Sequence, residues 1–123
     1  MMFETEKEVR PWGAFGVYDQ QTGCKIKWLR VDPGQRTSMQ VHRWRSETWV
    51  VLFGSGRVDI DHERHHAEAG SVFTVPAGAP HRITAYANGP LHLVEVQLGS
   101  RTDEDDIVRL ADDYGRQVPP QGV

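Results

Sequence analysis

The stretch Met39–Val51, "MQVHRWRSETWVV", is too polar for an ordinary core strand and too aromatic for an ordinary loop. It holds Gln40, His42 and Glu47 beside Trp44 and Trp49. Residues two apart on a strand point to the same face, so Gln40 and His42 share a side. Glu47, on a strand returning after a short turn, can reach the same point. His81 follows the rigid turn "PAGAP", which can swing its imidazole inward. Two imidazole nitrogens, a carboxylate oxygen and an amide oxygen make a mixed N/O set able to hold a divalent transition ion, with one or two positions left for water or substrate. Any one of these residues alone reads as a surface feature of an unrelated strand. Drawn toward one point, the four together can form a metal site.

Outward from this stretch, glycine and proline cut the chain into short pieces at "DPGQ", "FGSG", "EAGS", "PAGAP" and "ANGP". Between them lie "KIKWLRV", "ETWVVLF", "GRVDIDH", "SVFTV", "HRITAYA" and "LHLVEVQL", rich in β-branched and aromatic residues. Short strands at regular spacing with turn signals between them indicate an all-β sandwich or barrel. The "HERHH" run, His62–His66, reads as a solvated hairpin tip more readily than as a second metal site, and His92 as a partly buried strand residue. One helix is expected, at about 103–114. Ser100 or Thr102 would cap it, the acidic residues of "DEDD" would suit its first turn, Ile107, Leu110 and Ala111 would form its apolar stripe, and Gly115 would stop it. The tail "VPPQGV" is expected to be loose.

The 123 residues suit one domain with a single core. A formal net charge of -3 offers no global attraction to nucleic acid or an anionic membrane. Cys24 is the only cysteine, so no intrachain disulfide can form and a reducing compartment suits the chain. The acidic start "MMFETEKEVRPWG" lacks an apolar stretch and is not expected to act as a signal peptide, and no apolar run approaches the roughly 20 residues of a membrane helix. These features give the expectation of a cytoplasmic protein.

Gly34, Gln40, His42, Glu47 and Gly54 form one spacing, and Gly70, Pro76, Gly78 and His81 a second. The pair resembles the two motifs of the cupin superfamily, with Gln40 where the first motif usually has its first histidine. "RPWG", "VDPGQRTSMQVH", "HRWRSETWVV", "VPAGAPHR", "VEVQLGS" and "EDDIVRLADDYGR" narrow the likeness. They resemble type II mannose-6-phosphate isomerases, the cupin part of bifunctional mannose-1-phosphate guanylyltransferase/mannose-6-phosphate isomerase enzymes. The likeness runs from about Arg10 to Arg116 and does not extend to guanylyl transfer. It implies a single-domain cupin barrel with a divalent metal held by Gln40, His42, Glu47 and His81. Zinc is the leading metal, with manganese, iron, cobalt and nickel compatible. A homodimer is expected, because cupin barrels commonly pair.

The resemblance implies Glu95 and Lys27 as catalytic residues and Arg36, Arg45 and Arg82 as contacts to the anionic group of a sugar phosphate, which Lys27 could also help to hold. In "HLVEVQ", alternation sets Glu95 opposite in facing to Val94 and Val96, so Glu95 faces a cavity if the valines pack elsewhere. A structural ion pair of Glu95 with Lys27 or Arg82 is the other reading. Arg43, Trp44 and Thr48 stand where the family carries histidines. Trp44 shares strand parity with His42 and is expected to contact the substrate or fill its space. The function implied is interconversion of mannose 6-phosphate and fructose 6-phosphate through an enediol. The alternatives are a different metal-cupin enzyme (an oxygenase or an epimerase-like protein on a small polar metabolite) and a non-catalytic sugar- or metabolite-binding cupin.

Overall fold

The computed structural model describes residues 7–116, and every regular element in that range is a strand. In chain order these are β1 (Glu8–Arg10), β2 (Gly13–Gln21), β3 (Cys24–Val31), β4 (Met39–Val41), β5 (Arg45–Phe53), β6 (Ser55–Ile60), β7 (Glu63–Glu68), β8 (Val72–Val75), β9 (His81–Ala85), β10 (Leu91–Gly99) and β11 (Val108–Ala111). They form two antiparallel sheets, ordered β1-β2-β3-β10-β5-β8 and β11-β4-β9-β6-β7. The core draws on both: Leu29, Val51 and Leu93 from the first meet Val58, Ile83 and Ala85 from the second. The six runs expected as strands all contain strands of this sandwich.

Register explains why one half of the interior is oily and the other charged. On β10 the inward residues are Leu91, Leu93, Glu95 and Gln97, all buried, while Val94 and Val96 are half-buried on the other face. The antiparallel ladders set Leu93 between Leu29 and Val51, Glu95 between Lys27 and Trp49, and Gln97 between Lys25 and Glu47. Apolar rows thus stack on apolar rows, and polar rows on polar rows. Strand β3 shows the same split: Lys25 and Lys27 are buried, with Ile26 on the opposite parity. Burying two ammonium groups is unfavourable unless carboxylates meet them, so this strand alone calls for an acidic cavity.

Local geometry joins these strands. Asp61 and His62, with φ of 48° and 70°, make the two-residue turn between β6 and β7, the positive-φ pair that matches the twist of a hairpin. His62 therefore sits at a tip, while the rest of "HERHH" is on the exposed strand β7. Gly54 joins β5 to β6 with φ of 86°, and a Cβ there would stand 2.1 Å from the Pro90 carbonyl oxygen. Only glycine fits.

The expected helix at 103–114 is absent. Residues 108–111 instead form β11, which pairs with β4 through Val108↔Val41, Arg109↔Gln40 and Ala111↔Met39. The acidic residues that suited a first turn are used elsewhere: Glu104 meets Lys25 and Lys27, and the Asp106 carboxylate accepts from the Arg43 and Trp44 amides. Open backbone groups on the β4 edge and buried cations outweigh a local helical preference worth tenths of a kcal/mol per residue. Leu110 and Ala111 of the proposed stripe are exposed. The "VPPQGV" tail lies outside the described residues. Among those described, no helix is long and apolar enough to cross a membrane.

Candidate metal centre

Three strands from the two sheets bring the ligand candidates together. Gln40 on β4 pairs across from His81, the first residue of β9, and His42 lies just past the end of β4. Glu47 comes from β5 in the opposite sheet. One potential ligand atom from each of His42, Glu47 and His81 lies within 4.8 Å of the others, and all three residues are buried. His42 Nε2 is 3.2 Å from Glu47 Oε2, and His81 Nε2 is 3.8 Å from Glu47 Oε1. The Gln40 side-chain nitrogen donates to Ser38 Oγ at 3.2 Å, and Gln40 lines the same cavity as the histidines.

The second nitrogen of each imidazole fixes its tautomer. His42 Nδ1 is 2.7 Å from the Asp106 carbonyl oxygen and His81 Nδ1 is 2.9 Å from that of Ala79. A carbonyl only accepts, so each Nδ1 carries the proton and each Nε2 presents a lone pair. Burial pushes His42 down to about 4, with His81 and Arg45 adding to the effect, and burial lowers His81 as well. Two neutral imidazoles therefore aim lone pairs at a carboxylate, an arrangement of acceptors that a cation satisfies. Backbone carbonyls orienting both rings are the outer support that metal-binding histidines use. These residues fit a divalent ion. The nearest protein cation is Arg45, whose Nε donates to Glu47 Oε2 at 3.1 Å while Nη2 lies 3.4 Å from His42 Nε2.

The centre opens on a cavity of about 120 Å³ that Glu95 and Lys27 also line. Trp49 Nε1 donates to Glu47 Oε1 at 3.1 Å and to Glu95 Oε1 at 3.0 Å, tying the two carboxylates to one indole. Gln97 Nε2 donates to Glu95 Oε2 at 2.7 Å. Burial pushes Glu95 up to about 7, Glu47 adds to the rise, and Lys27 opposes it. Lys27 Nζ is 3.9 Å from Glu95 Oε2 but 3.1 Å from Glu104 Oε1, so Glu104 is its closer partner. Lys25 Nζ meets Glu104 at 3.1 Å and donates to the Thr102 carbonyl.

Other expected substrate contacts lie elsewhere. Arg82 follows His81 on β9 and faces away from it, donating to the Thr37 carbonyl at 2.9 Å and that of Ala111 at 3.2 Å. Arg36 is clamped on Asp113 at 2.7 and 2.8 Å. Neither lines the cavity. Trp44 is 46% exposed and does not line it either, because residues 42–44 form the turn between β4 and β5 and strand parity does not carry across it. Arg45 does line it.

Sequence reasoning did not place Glu104, Asp106, Arg10, Arg109 or Arg116 around this cavity. The buried parity of Lys25 and Lys27 was the available signal for Glu104. Asp106 supports the centre twice, since its carbonyl orients His42 and its carboxylate accepts from the Arg43 and Trp44 amides at 3.0 Å each. Asp106→Ala is expected to loosen that turn and weaken metal binding by about tenfold, measured by competition with a chromophoric chelator. Wild-type affinity in that variant would show that the carboxylate does not steady His42.

A family model described as the mannose-6-phosphate isomerase C-terminal region matches residues 2–112. Mannose-1-phosphate guanylyltransferase of Escherichia coli (strain K12) is 39% identical over 107 residues, 87% of this chain and 22% of that protein. Alginate biosynthesis protein AlgA of Pseudomonas aeruginosa is 37% identical over 111 residues, 90% of this chain and 23% of the relative. The chain thus spans less than a quarter of the length of either. Among solved structures, a cupin-2 domain protein of Rhodospirillum rubrum is similar with a TM-score of 0.67 at 18% identity, over 76% of this chain and 67% of its own. KdgF of a Halomonas species gives 0.71 at 16% identity, over 84% and 94%. The likeness to these two is one of fold, the cupin barrel.

Proposed function

The chain belongs to the mannose-6-phosphate isomerase C-terminal family, and from that premise we propose that it is a metal-dependent aldose–ketose isomerase interconverting mannose 6-phosphate and fructose 6-phosphate. The observation that carries this reading is the presence of two distinct chemical functions in one cavity: a His42–Glu47–His81 ligand set and, tied to it through Trp49, the buried carboxylate of Glu95. Gln40 would complete the set, with zinc the leading ion and manganese, iron, cobalt or nickel compatible with these donors. A bound divalent ion would polarise the sugar carbonyl and stabilise the charge that develops on its oxygen.

The chain's own residues supply the proton chemistry. Moving the carbonyl between C1 and C2 requires removing a proton from one carbon and returning it to the other through an enediol. Glu95 takes and returns that proton. Burial holds it near 7, so the carboxylate is a stronger base than a solvated one and about half of it is ionised near neutral pH. Trp49 and Gln97 hold both carboxylate oxygens in place while it acts. Lys27, between Glu95 and Glu104, can donate to a sugar hydroxyl. Arg45 steadies Glu47 and presents its guanidinium to the cavity.

Purified protein given one equivalent of zinc should convert mannose 6-phosphate to fructose 6-phosphate in a coupled assay, and a chelator should abolish the turnover. Absence of product with the metal fully bound would overturn the isomerase reading.

A further inference from the structure

We propose that Arg109, Arg10 and Arg116 form the anion subsite of this cavity and recognise the phosphate monoester of its substrate, a role that rests on the sugar-phosphate reading above. All three line the cavity. They come from separate parts of the chain: Arg10 ends β1, the edge of the six-stranded sheet, Arg109 lies on β11, the edge of the five-stranded sheet, and Arg116 follows β11. The two sheet edges thus each contribute a guanidinium to one cavity.

The three guanidinium groups are countered to different degrees. The Arg10 guanidinium lies 4.8 Å from the Phe15 ring centre and donates to the Val9 carbonyl, with Glu8 3.8 Å away. Arg116 is gripped by Asp112, at 2.9 Å from Nε and 3.1 Å from Nη2, and this carboxylate is the one in hydrogen-bond contact with any of the three among the described residues. Arg109 Nε is buried and has no hydrogen-bond partner among the described residues. Leaving a buried guanidinium donor unmet is costly, and a ligand oxygen would meet it. Arg116 and Arg10 both bear on Arg109 electrostatically, with the Asp112 carboxylate partly offsetting them. Like charges gathered in this way favour a dianion, and guanidinium forks match phosphate oxygens.

Register sets Arg109 one strand from Gln40 and two from His81. Arg109 pairs with Gln40 and Gln40 with His81, one row across three strands. Two strand spacings are about 10 Å, comparable with the span of an open-chain hexose phosphate from its carbonyl end to its phosphorus. A phosphate on Arg109 would leave the carbonyl end of the sugar at the histidines and Glu95.

Calorimetric titration of the metal-loaded full chain tests this, with mannose 6-phosphate, inorganic phosphate and mannose as titrants. Arg109→Ala and Arg10→Ala should each weaken mannose 6-phosphate binding roughly tenfold or more, with metal content and the response to neutral mannose as in wild type. Arg109→Lys, which keeps the charge and loses the fork, should fall between. Inorganic phosphate should compete with mannose 6-phosphate in the wild type. If wild type binds mannose 6-phosphate and both alanine variants bind it equally well, or if the loss is confined to Arg36→Ala, the subsite is overturned and the isomerase reading stands. If wild-type protein binds neither phosphate compound at millimolar concentration, the sugar-phosphate reading falls and the subsite with it.

Discussion

Glu95→Gln is expected to lower kcat for isomerisation by about 10³-fold while metal content and mannose 6-phosphate affinity stay at wild-type values. An amide keeps the shape of the carboxylate but cannot accept a carbon-bound proton. The surroundings can absorb the change. The amide oxygen can still accept from Trp49 Nε1, and Gln97 Oε1 has no hydrogen-bond partner among the described residues. A flip of the Gln97 amide would therefore turn an acceptor toward the new amide nitrogen. Lys27 keeps Glu104 at 3.1 Å when the charge on Glu95 is gone. Burial disfavours the ionised carboxylate, so removing it should not cost stability. Wild-type metal content and melting temperature would separate a chemical defect from a structural one. Turnover within tenfold of wild type would remove Glu95 as the base.

His42→Ala and His81→Ala are each expected to release the metal, costing more than the roughly 10- to 100-fold penalty of losing an outer support. Either change leaves one imidazole and one carboxylate, with the amide of Gln40, to hold the ion. The loss also has a thermal signature. A ligand that binds only the folded state at about 1,000 times its Kd adds about 4 kcal/mol, a rise in melting temperature on the order of 15 °C for a chain of this size. Wild type should show that rise on zinc addition, and neither variant should. Metal analysis after gel filtration provides the second measurement. Stoichiometric metal and a full thermal shift in both variants would exclude these histidines as ligands.

Parity within a strand is a local property, and conclusions resting on it agree with the structure. Alternation along "HLVEVQ" was enough to set Glu95 inward and the two valines outward, and β10 has that arrangement. The spacings around Gln40, His42, Glu47 and His81 were enough to anticipate that these side chains gather in one place, and the histidines and Glu47 do so. The same rule misled when carried across a turn, as for Trp44, and applied to Arg82 it runs against the contact that the family resemblance implied. Arg82 is next to inward-facing His81 and so must face outward, away from the cavity.

Composition, turn residues and period-two patterning within the chain determined an all-β sandwich, its principal strands and the parity of its ligand candidates, because each depends on neighbours a few residues away. Tertiary structure alone decided the rest. The 103–116 segment carries helix-like capping and charge, yet its backbone is taken by the open edge of β4 and its acids by Lys25, Lys27 and the turn at Arg43 and Trp44. Those partners lie some 60 to 80 residues away in the chain. Their pull is non-local, and no window of sequence around the segment contains it. The gathering of Arg10 with Arg109 and Arg116 has the same origin, since two sheet edges meet at one cavity only after both sheets have formed.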